Sequence, residues 1–239
     1  MQLDNITILF DVYYSDDILK NSKKGNIDLS DIDYLILSHG HIDHTEGLKF
    51  MNLSDIKNIL AHPDCFQKRF FEEGEYIGMP IELEDLKKST NVILSKEWYW
   101  ILKDKIVFLG EIPRENDFEG KNPVGYLENG NKDYVMDDSA IVVKSEKGLI
   151  VISGCSHSGI CNIIEHAKKV TGMEQVEAVI GGFHLGAIDR QTKKTIQYMN
   201  DHKIPGLFPS HCTRDPALRM FKEVLGSREV VVGVERIWK

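Results

Sequence analysis

Three histidines and one aspartate stand within six residues, in the pattern H-x-H-x-D-H that begins at His39. The pattern directly follows the apolar run at residues 34–37, which is typical of a buried strand. In an extended segment alternate side chains lie on the same side, so His39 and His41 can reach one metal ion together. Asp43 and His44 follow about one turn later, where they are placed for a second ion. Imidazole and carboxylate groups are ligands of zinc, iron and manganese, so this segment predicts a metal site.

The composition is ordinary for a soluble globular protein and agrees with a single enzyme domain. A chain of 239 residues can bury a substantial core as one domain. The net charge of -8 argues against a nucleic-acid partner, because phosphate backbones require clustered lysine and arginine. The first residues lack the charged and apolar regions of a signal peptide, and no apolar stretch reaches membrane-spanning length. We expect a single-domain cytoplasmic protein that does not bind membranes.

Short apolar runs alternate with helical patterns along the chain, which predicts mixed α/β layers. Strands are expected at residues 6–10, 34–37, 58–61, 98–109, 140–143, 149–152 and 229–234. Helices are expected at residues 17–23, 45–51, 63–73, 159–170, 190–202 and 216–225. The runs at 140–143 and 149–152 are separated by a short polar segment and predict a β-hairpin.

The H-x-H-x-D-H loop between a strand and a helix resembles the signature of the metallo-β-lactamase superfamily. Three later motifs follow apolar runs and resemble the family's remaining ligand positions. They are S-G-C-S-H ending at His157, G-G-F-H ending at His184, and S-H-C-T, which contains His211. The resemblance implies an αββα sandwich, in which two mixed β-sheets lie face to face with helices on the outer faces.

The resemblance also implies a ligand set for two divalent ions, zinc first and manganese or iron as alternatives. These ligands are His39, His41 and His157 for one ion and Asp43, His44 and His211 for the other. His184 departs from the family, which has a bridging aspartate at that position. A neutral imidazole does not bridge two cations as a carboxylate does. The open alternatives for the site are one ion instead of two, a different metal, or recruitment of Asp137 or Asp138. For His184 itself they are a metal ligand, a substrate contact or a structural residue, and the metal ligand comes first.

The cysteines do not form a disulfide framework in a chain of this length and type. Cys65 and Cys161 are expected to be small buried hydrophobic residues. Cys155 and Cys212 each lie within two residues of a proposed histidine ligand. For these two, burial is again the first expectation, and contact with the metal or its ligands is the alternative.

Two further expectations concern the edge of the first sheet and the long segment at about 73–130. The strand that ends at Asp11 has few residues before it, whereas the family has a hairpin there. An exposed sheet edge and contact between copies of the chain are therefore expected. The segment at about 73–130 contains no proposed ligand and is interpreted as an insertion that caps the site.

An open metal site predicts hydrolysis as the generic chemistry. A bound divalent ion lowers the pKa of water from about 15.7 towards 7. Asp43 is placed to orient the nucleophile or to accept its proton. The leading hypothesis is a metal-dependent hydrolase of a small anionic ester or phosphoester, and the alternatives are a transferase and a non-catalytic metal- or ligand-binding protein.

The transferase hypothesis comes from a closer resemblance. The loop from Ser38, the segment A-H-P-D at 61–64 and G-E-I-P-R at 110–114 are similar to one subfamily of metal-dependent hydrolases. That subfamily includes an archaeal synthase of methanopterin biosynthesis, which joins a dihydropterin methyl diphosphate to an aminobenzene ribose phosphate. In that case Arg114 and Lys121 would anchor phosphate groups, since arginine suits bidentate contact. The alternative for both is an exposed surface charge.

Overall fold

The computed structural model describes residues 1–225 and the backbone of Glu229–Val230. The chain divides into two compact units, each with its own hydrophobic core. The first unit comprises Met1–Glu97 and Asn122–Asp137, and the second comprises Trp98–Lys121 and Asp138–Lys239. The prediction of a single domain for the whole chain stays a prediction.

The strands alternate with helices along the chain. The strands are β1 (Gln2–Leu3), β2 (Ile6–Phe10), β3 (Ile32–Ile36), β4 (Ile56–Ala61), β5 (Arg69–Phe70), β6 (Asn91–Leu94), β7 (Tyr99–Leu102), β8 (Ile106–Phe108), β9 (Gly125–Leu127), β10 (Lys132–Asp133), β11 (Ala140–Lys144), β12 (Leu149–Ser153), β13 (Val176–Gly182), β14 (Gly206–Ser210) and β15 (Glu229–Val230). The expected strand at 229–234 is described over its first two residues, and the other positions lie outside the described residues.

The α-helices are α1 (Asp17–Lys24), α2 (Ile42–Thr45), α3 (Leu83–Ser89), α4 (Ile160–Thr171), α5 (Arg190–Asp201) and α6 (Asp215–Leu225). Short 3-10 turns occupy Glu46–Lys49, Leu53–Asp55 and Pro63–Phe66. The expected helix at 45–51 is therefore α2 followed by a 3-10 turn, and it begins three residues earlier than predicted. Within the described residues, a membrane-crossing helix is ruled out by length and composition.

The main sheet of the first unit is mixed and has the strand order β1-β2-β3-β4-β6. Strands β2, β3, β4 and β6 are parallel, and Phe10 aligns with Ile36, which in turn aligns with Leu60. The carboxyl ends of these strands therefore meet at one edge of the sheet. Asp11 follows β2 at this edge, and the loop with the H-x-H-x-D-H pattern follows β3.

The edge of this sheet next to β2 carries a short strand. β1 pairs antiparallel with β2, with Leu3 opposite Ile6. Asp4 and Asn5 connect the two strands with φ values of 48° and 65°, as expected for the central residues of a tight hairpin turn. The expected bare edge at β2 is thus extended by one short antiparallel strand.

The predicted helix at 63–73 is wrong beyond its first turn. Pro63 begins a 3-10 turn, as its fixed φ favours, but the chain then enters β5, which pairs antiparallel with β9. The reason is tertiary, because the side chain of Arg69 is only 1% exposed and forms an ion pair with Asp137. That partner is distant in sequence and overrides the local helical preference.

The main sheet of the second unit is mixed and has the order β15-β14-β13-β12-β11-β8-β7. The predicted hairpin is confirmed, with β11 antiparallel to β12 and Ala140 opposite Ser153. From β12 to β15 the strands are parallel, so the ends of β12, β13 and β14 lie at one edge. The loops that leave this edge contain His157, His184 and His211.

Helix α4 packs its apolar face on the core of the second unit. Its buried residues include Ile160, Ile163 and Ala167, which join the cluster formed by the seven-stranded sheet. The helix ends at Gly172, whose φ of 66° gives the left-handed conformation that glycine adopts most readily. The observed end of α4 at Thr171 lies one residue beyond the predicted end at 170.

Part of the segment at 73–130 belongs to the two main sheets. Strand β6 joins the sheet of the first unit, and β7 and β8 join that of the second. The interpretation of the segment as an insertion that caps the site stays a prediction. The predicted fold class, α/β with mixed sheets, is confirmed.

Candidate metal centre

The loop after β3 brings three metal-ligating groups together. His39 Nε2 lies 2.9 Å from His41 Nδ1, and both rings are buried. Ligand atoms of His39, His41 and Asp43 all lie within 4.8 Å of one another. Two imidazoles and one carboxylate form a donor set that suits zinc, iron or manganese. The residues of this loop thus fit a divalent ion.

The imidazole of His41 is held in its neutral form. Burial lowers its pKa to about 3, and the positive charge of Arg69 acts in the same direction. A neutral ring keeps the nitrogen lone pair that metal coordination requires. The loop is therefore prepared for a cation at neutral pH.

Asp11 orients the last histidine of the loop, a role that the sequence did not suggest. Its Oδ2 lies 2.7 Å from His44 Nδ1 and also accepts a hydrogen bond from the Ser38 hydroxyl at 2.7 Å. Its Oδ1 accepts a hydrogen bond from the Ser38 backbone N–H. The other ring nitrogen of His44 lies 3.6 Å from the Asp43 carboxylate. A carboxylate behind a ligating imidazole fixes the tautomer and orientation of the ring.

Replacing Asp11 by asparagine is expected to weaken metal binding without removing a ligand. Loss of such an orienting carboxylate costs roughly 10–100-fold in metal affinity. The measurement is a competition titration with a chromophoric chelator. Asp31→Asn removes a carboxylate whose side chain is 74% exposed and should leave the affinity unchanged. Equal affinities for the Asp11 variant and the wild type would show that His44 needs no orienting partner.

Gly40 is required because the loop passes very close to the backbone of Cys65. A Cβ atom at Gly40 would lie 1.9 Å from the Cys65 carbonyl oxygen. The Gly40 N–H donates a hydrogen bond of 2.8 Å to Asp137, whose other oxygen accepts one from Arg69. Burial alone would raise the pKa of Asp137, but the adjacent Arg69 lowers it below its usual value. Arg69 and Gly40 thus each bond one oxygen of Asp137, and recruitment of this carboxylate as a bridge stays a prediction.

In the second unit, hydrogen bonds on both sides hold His157. The Ser156 hydroxyl donates to the Gly182 carbonyl at 2.6 Å, which ties the loop to the end of β13. The N–H and hydroxyl of Ser158 both donate to Asp138 Oδ2, at 2.9 and 2.5 Å. Asp138 thus fixes the histidine loop, so its first role is structural.

His184 lies among groups that bind metals. Its ring is 4.4 Å from that of His157, measured between centroids. Ligand atoms of His184, Cys155 and Cys212 lie within 4.8 Å of one another. A hydrogen bond with Cys212 raises the pKa of His184 above its ordinary value. A hydrogen bond with Cys155 and the charge of His184 lower the pKa of Cys212 to about 4, although burial opposes this.

Two histidines remain among the candidate residues, His211 and His62. His211 follows β14, is exposed and has a φ of 49°, which is uncommon for a residue with a Cβ atom. His62 is buried, and its Nδ1 accepts a hydrogen bond from the Asp64 N–H, which caps the 3-10 turn. This contact supports a structural role for His62.

The proposed phosphate anchors lie beside the loop of His157. The Arg114 guanidinium donates to the Gly120 carbonyl at 3.1 Å. Gly120 packs against Ser158, since a Cβ atom there would lie 2.8 Å from the Ser158 carbonyl oxygen. Lys121 is exposed, and its amine donates to the Arg114 carbonyl.

The structure thus groups the predicted ligands within each unit. His39, His41, Asp43 and His44 are clustered in the first, and His157 and His184 are neighbours in the second. The assignment of two ions draws ligands from both units and stays a prediction. Asp11 and the pair Arg69–Asp137 were missed as supports of the loop, although Asp11 was visible as a carboxylate at a strand end.

Comparison with known proteins gives consistent results. Residues 3–120 match the model of the metallo-β-lactamase superfamily. An uncharacterised protein of Methanocaldococcus jannaschii is 33% identical over 230 residues, which cover 94% of this chain and 86% of that protein. The 7,8-dihydropterin-6-methyl-4-(β-D-ribofuranosyl)-aminobenzene-5'-phosphate synthase of the same organism is 38% identical over 234 residues, covering 90% of this chain and 78% of the synthase.

A solved structure extends the similarity to the backbone. The crystal structure of a metal-dependent hydrolase of the β-lactamase superfamily aligns with a TM-score of 0.81 and 29% identity. The alignment covers 95% of this chain and 86% of that one. The sequence relatives, the shared backbone and the histidine loop lead to one conclusion: this chain belongs to the metallo-β-lactamase superfamily.

Proposed function

We propose that the protein is a metal-dependent hydrolase of a small anionic ester or phosphoester. The observation that carries the proposal is the group of His39, His41 and Asp43, whose ligand atoms lie within 4.8 Å of one another. When bound there, a divalent ion supplies a water of lowered pKa and stabilises the negative charge that develops on the substrate. Zinc is the expected metal, at one or two ions per chain.

We assign Asp43 to the attacking water, as the group that orients it and accepts its proton. The Asp43 side chain is 24% exposed, so one carboxylate oxygen can bind the metal while the other faces a water molecule, and the neighbouring His44 stays buried. A carboxylate in this position orients the attacking water and accepts its proton. Asp11 and Ser38 hold His44 from behind and keep this geometry fixed.

The anionic substrate of this proposal needs a positively charged group to bind it. The chain carries a net charge of -8, so an anionic substrate requires a positive patch beside the site. Arg114 supplies such a charge, and its hydrogen bond to Gly120 holds it next to the loop of His157. A guanidinium binds phosphate oxygens in a bidentate manner.

Replacing Arg114 by alanine is expected to raise the KM for phosphorylated substrates and to change kcat little. Loss of one charge-assisted contact costs about 1.5–3 kcal/mol, or roughly 10–100-fold in affinity. The measurement is steady-state kinetics on one phosphoester and on an uncharged ester of the same alcohol. Lys147→Ala, at an exposed hairpin turn, is the control. An unchanged KM for the phosphoester would remove Arg114 as an anchor.

The function is tested with metal-loaded protein in oxygen-18 water. Metal content per chain is measured first, on protein purified without added metal or chelator. A panel of phosphomonoesters, diphosphate esters, carboxylic esters and lactones then follows. The hydrolase proposal predicts turnover that stops in Asp43→Asn and oxygen-18 in one product. The absence of turnover with every metal would instead support a binding protein.

A second candidate is favoured by the 38% identity to the methanopterin synthase. In such a transferase an aromatic amine attacks the methylene carbon of a dihydropterin methyl diphosphate. A C–N bond forms, the C–O bond to diphosphate breaks, and the amine loses a proton, which Asp43 is placed to accept. Arg114 would then bind the departing diphosphate.

The amine acceptor separates the two reactions. A transferase consumes the diphosphate only when an aminobenzene ribose phosphate is present, and its product contains no oxygen-18 from water. A hydrolase consumes its substrate without the amine and incorporates the label. The same protein sample and the same metal serve both arms.

A further inference from the structure

The second unit contains a group of two cysteines and one histidine, and the cysteines are not part of the ligand set that the resemblance implies. The Sγ atoms of Cys155 and Cys212 and a ring nitrogen of His184 lie within 4.8 Å of one another. The three residues follow β12, β14 and β13, so the parallel strands bring their loops to the same edge of the sheet. The group therefore rests on the sheet itself and not on one mobile loop.

The backbone around Cys212 makes room for its sulfur and stabilises a negative charge on it. The N–H of His184 donates a hydrogen bond of 3.2 Å to Cys212 Sγ. Gly182 lies beside the thiol, and a Cβ atom at that position would be 2.6 Å from Sγ. A backbone N–H directed at sulfur is the kind of contact that tunes a thiolate ligand of a metal.

The spacing of the three atoms suits a tetrahedral ion. Zn–S bonds of about 2.3 Å and Zn–N bonds of about 2.0 Å place ligand atoms roughly 3.5–3.8 Å apart. Atoms that already lie within 4.8 Å need to move by about an ångström or less to reach this geometry. Cys212 is partly exposed, so an ion can reach the group from solvent.

The other two cysteines lie in different surroundings. Cys65 and Cys161 are buried, and burial raises the pKa of both thiols. Among the described residues, neither belongs to a group that could hold a metal ion. The chain thus provides its own control cysteines.

We propose that Cys155, His184 and Cys212 form a sulfur-containing site for a thiophilic divalent ion. Two thiolates and one imidazole select zinc, cobalt or iron(II) over magnesium and manganese, which prefer oxygen ligands. The fourth position stays available for water or another ligand. His184, at the position of the family's bridging aspartate, would then bind metal together with sulfur, and this holds whichever reaction the enzyme performs.

The test is the absorption spectrum of the reduced, full-length protein titrated with Co²⁺. Thiolate ligands give an intense near-ultraviolet charge-transfer band that nitrogen and oxygen ligands do not give. We expect this band in the wild type and in Cys161→Ser, and its loss or marked decrease in Cys155→Ser and Cys212→Ser. Prior addition of Zn²⁺ should prevent it, whereas Mg²⁺ should not. Saturation of the wild type with Co²⁺ without the band, or an undiminished band in both serine variants, would overturn the proposal.

Alkylation of the wild type gives an independent measurement if a serine variant does not fold. Zn²⁺ should slow the modification of Cys212 by iodoacetamide, followed by mass spectrometry of its peptide. An unchanged rate at saturating Zn²⁺ would count against the site. Neither measurement requires turnover, so a failed substrate panel and a failed sulfur site give different results.

Discussion

Replacing His41 by alanine is expected to remove most of the bound metal and to reduce turnover to background. His41 is buried, and its Nδ1 lies 2.9 Å from His39 Nε2, so both rings face the same point. Its loss leaves one imidazole and Asp43 in the group. Because even an orienting partner of a ligand is worth roughly 10–100-fold in metal affinity, loss of the ligand itself should cost more.

The measurement is metal content per chain after gel filtration, together with turnover at a fixed metal concentration. His202→Ala is the matched control, because His202 is exposed and lies at the end of α5. The control should keep its metal and its activity. Full metal loading and normal turnover in His41→Ala would contradict the proposed site. Normal loading with lost turnover would place the metal elsewhere.

The ligand loop and the strand that precedes it could be predicted from sequence because their signals are local. The apolar run before His39 and the alternation of the two histidines depend on neighbouring residues alone. The hairpin at β11 and β12 and the end of α4 at Gly172 have the same origin, since turn and cap residues act within a few positions. Such features need no knowledge of distant contacts.

The supports of the loop could not be predicted because their partners are far away in sequence. Asp137 accepts a hydrogen bond from Gly40, 97 positions earlier, and forms an ion pair with Arg69, 68 positions earlier. Arg69 also accounts for the wrong helix at 63–73, because its burial depends on that ion pair. Asp11 was noted at the end of its strand, but its bond to His44 depends on the register of β2 and β3.

The different surroundings of the four cysteines could not be predicted from sequence either. Composition gives burial as the first expectation for all four. This holds for Cys65, Cys155 and Cys161, whereas Cys212 is half-buried. What separates Cys155 and Cys212 is the order of β12, β13 and β14 in the sheet. Strand order is a property of the whole unit, so residue types and spacing alone cannot give it.

The ion pair between Arg69 and Asp137 links the stability of the first unit to the geometry of its metal loop. The guanidinium donates to Asp137 at 2.5 Å and to the Asp64 carbonyl at 2.8 Å, and its Nε lies 3.6 Å from Asp133. The other oxygen of Asp137 holds the Gly40 N–H. One carboxylate therefore neutralises a buried charge and fixes the loop at once.

Replacing Asp137 by alanine is thus expected to lower the free energy of unfolding by about 3 kcal/mol, since the buried Arg69 loses its closer carboxylate and keeps only Asp133 at 3.6 Å. The measurement is urea denaturation of the full chain, followed by circular dichroism. Lys68→Ala is the control, because the neighbouring Lys68 forms an exposed ion pair with Glu128, and it should not measurably change the unfolding curve.

A second substitution separates the two roles of this carboxylate. The triple variant Arg69→Met/Asp133→Asn/Asp137→Leu removes all three buried charges and keeps an acceptor for the Val135 N–H. Uncharged replacements of a buried ion pair are often neutral or stabilising, so much of the stability should return. Its metal affinity should nevertheless stay low, because the Gly40 N–H still lacks its acceptor and the loop loses the contact that fixes it. If the triple variant recovered both stability and metal affinity, Asp137 would serve only to neutralise Arg69. If Asp137→Ala were as stable as the wild type, the ion pair would not contribute to folding.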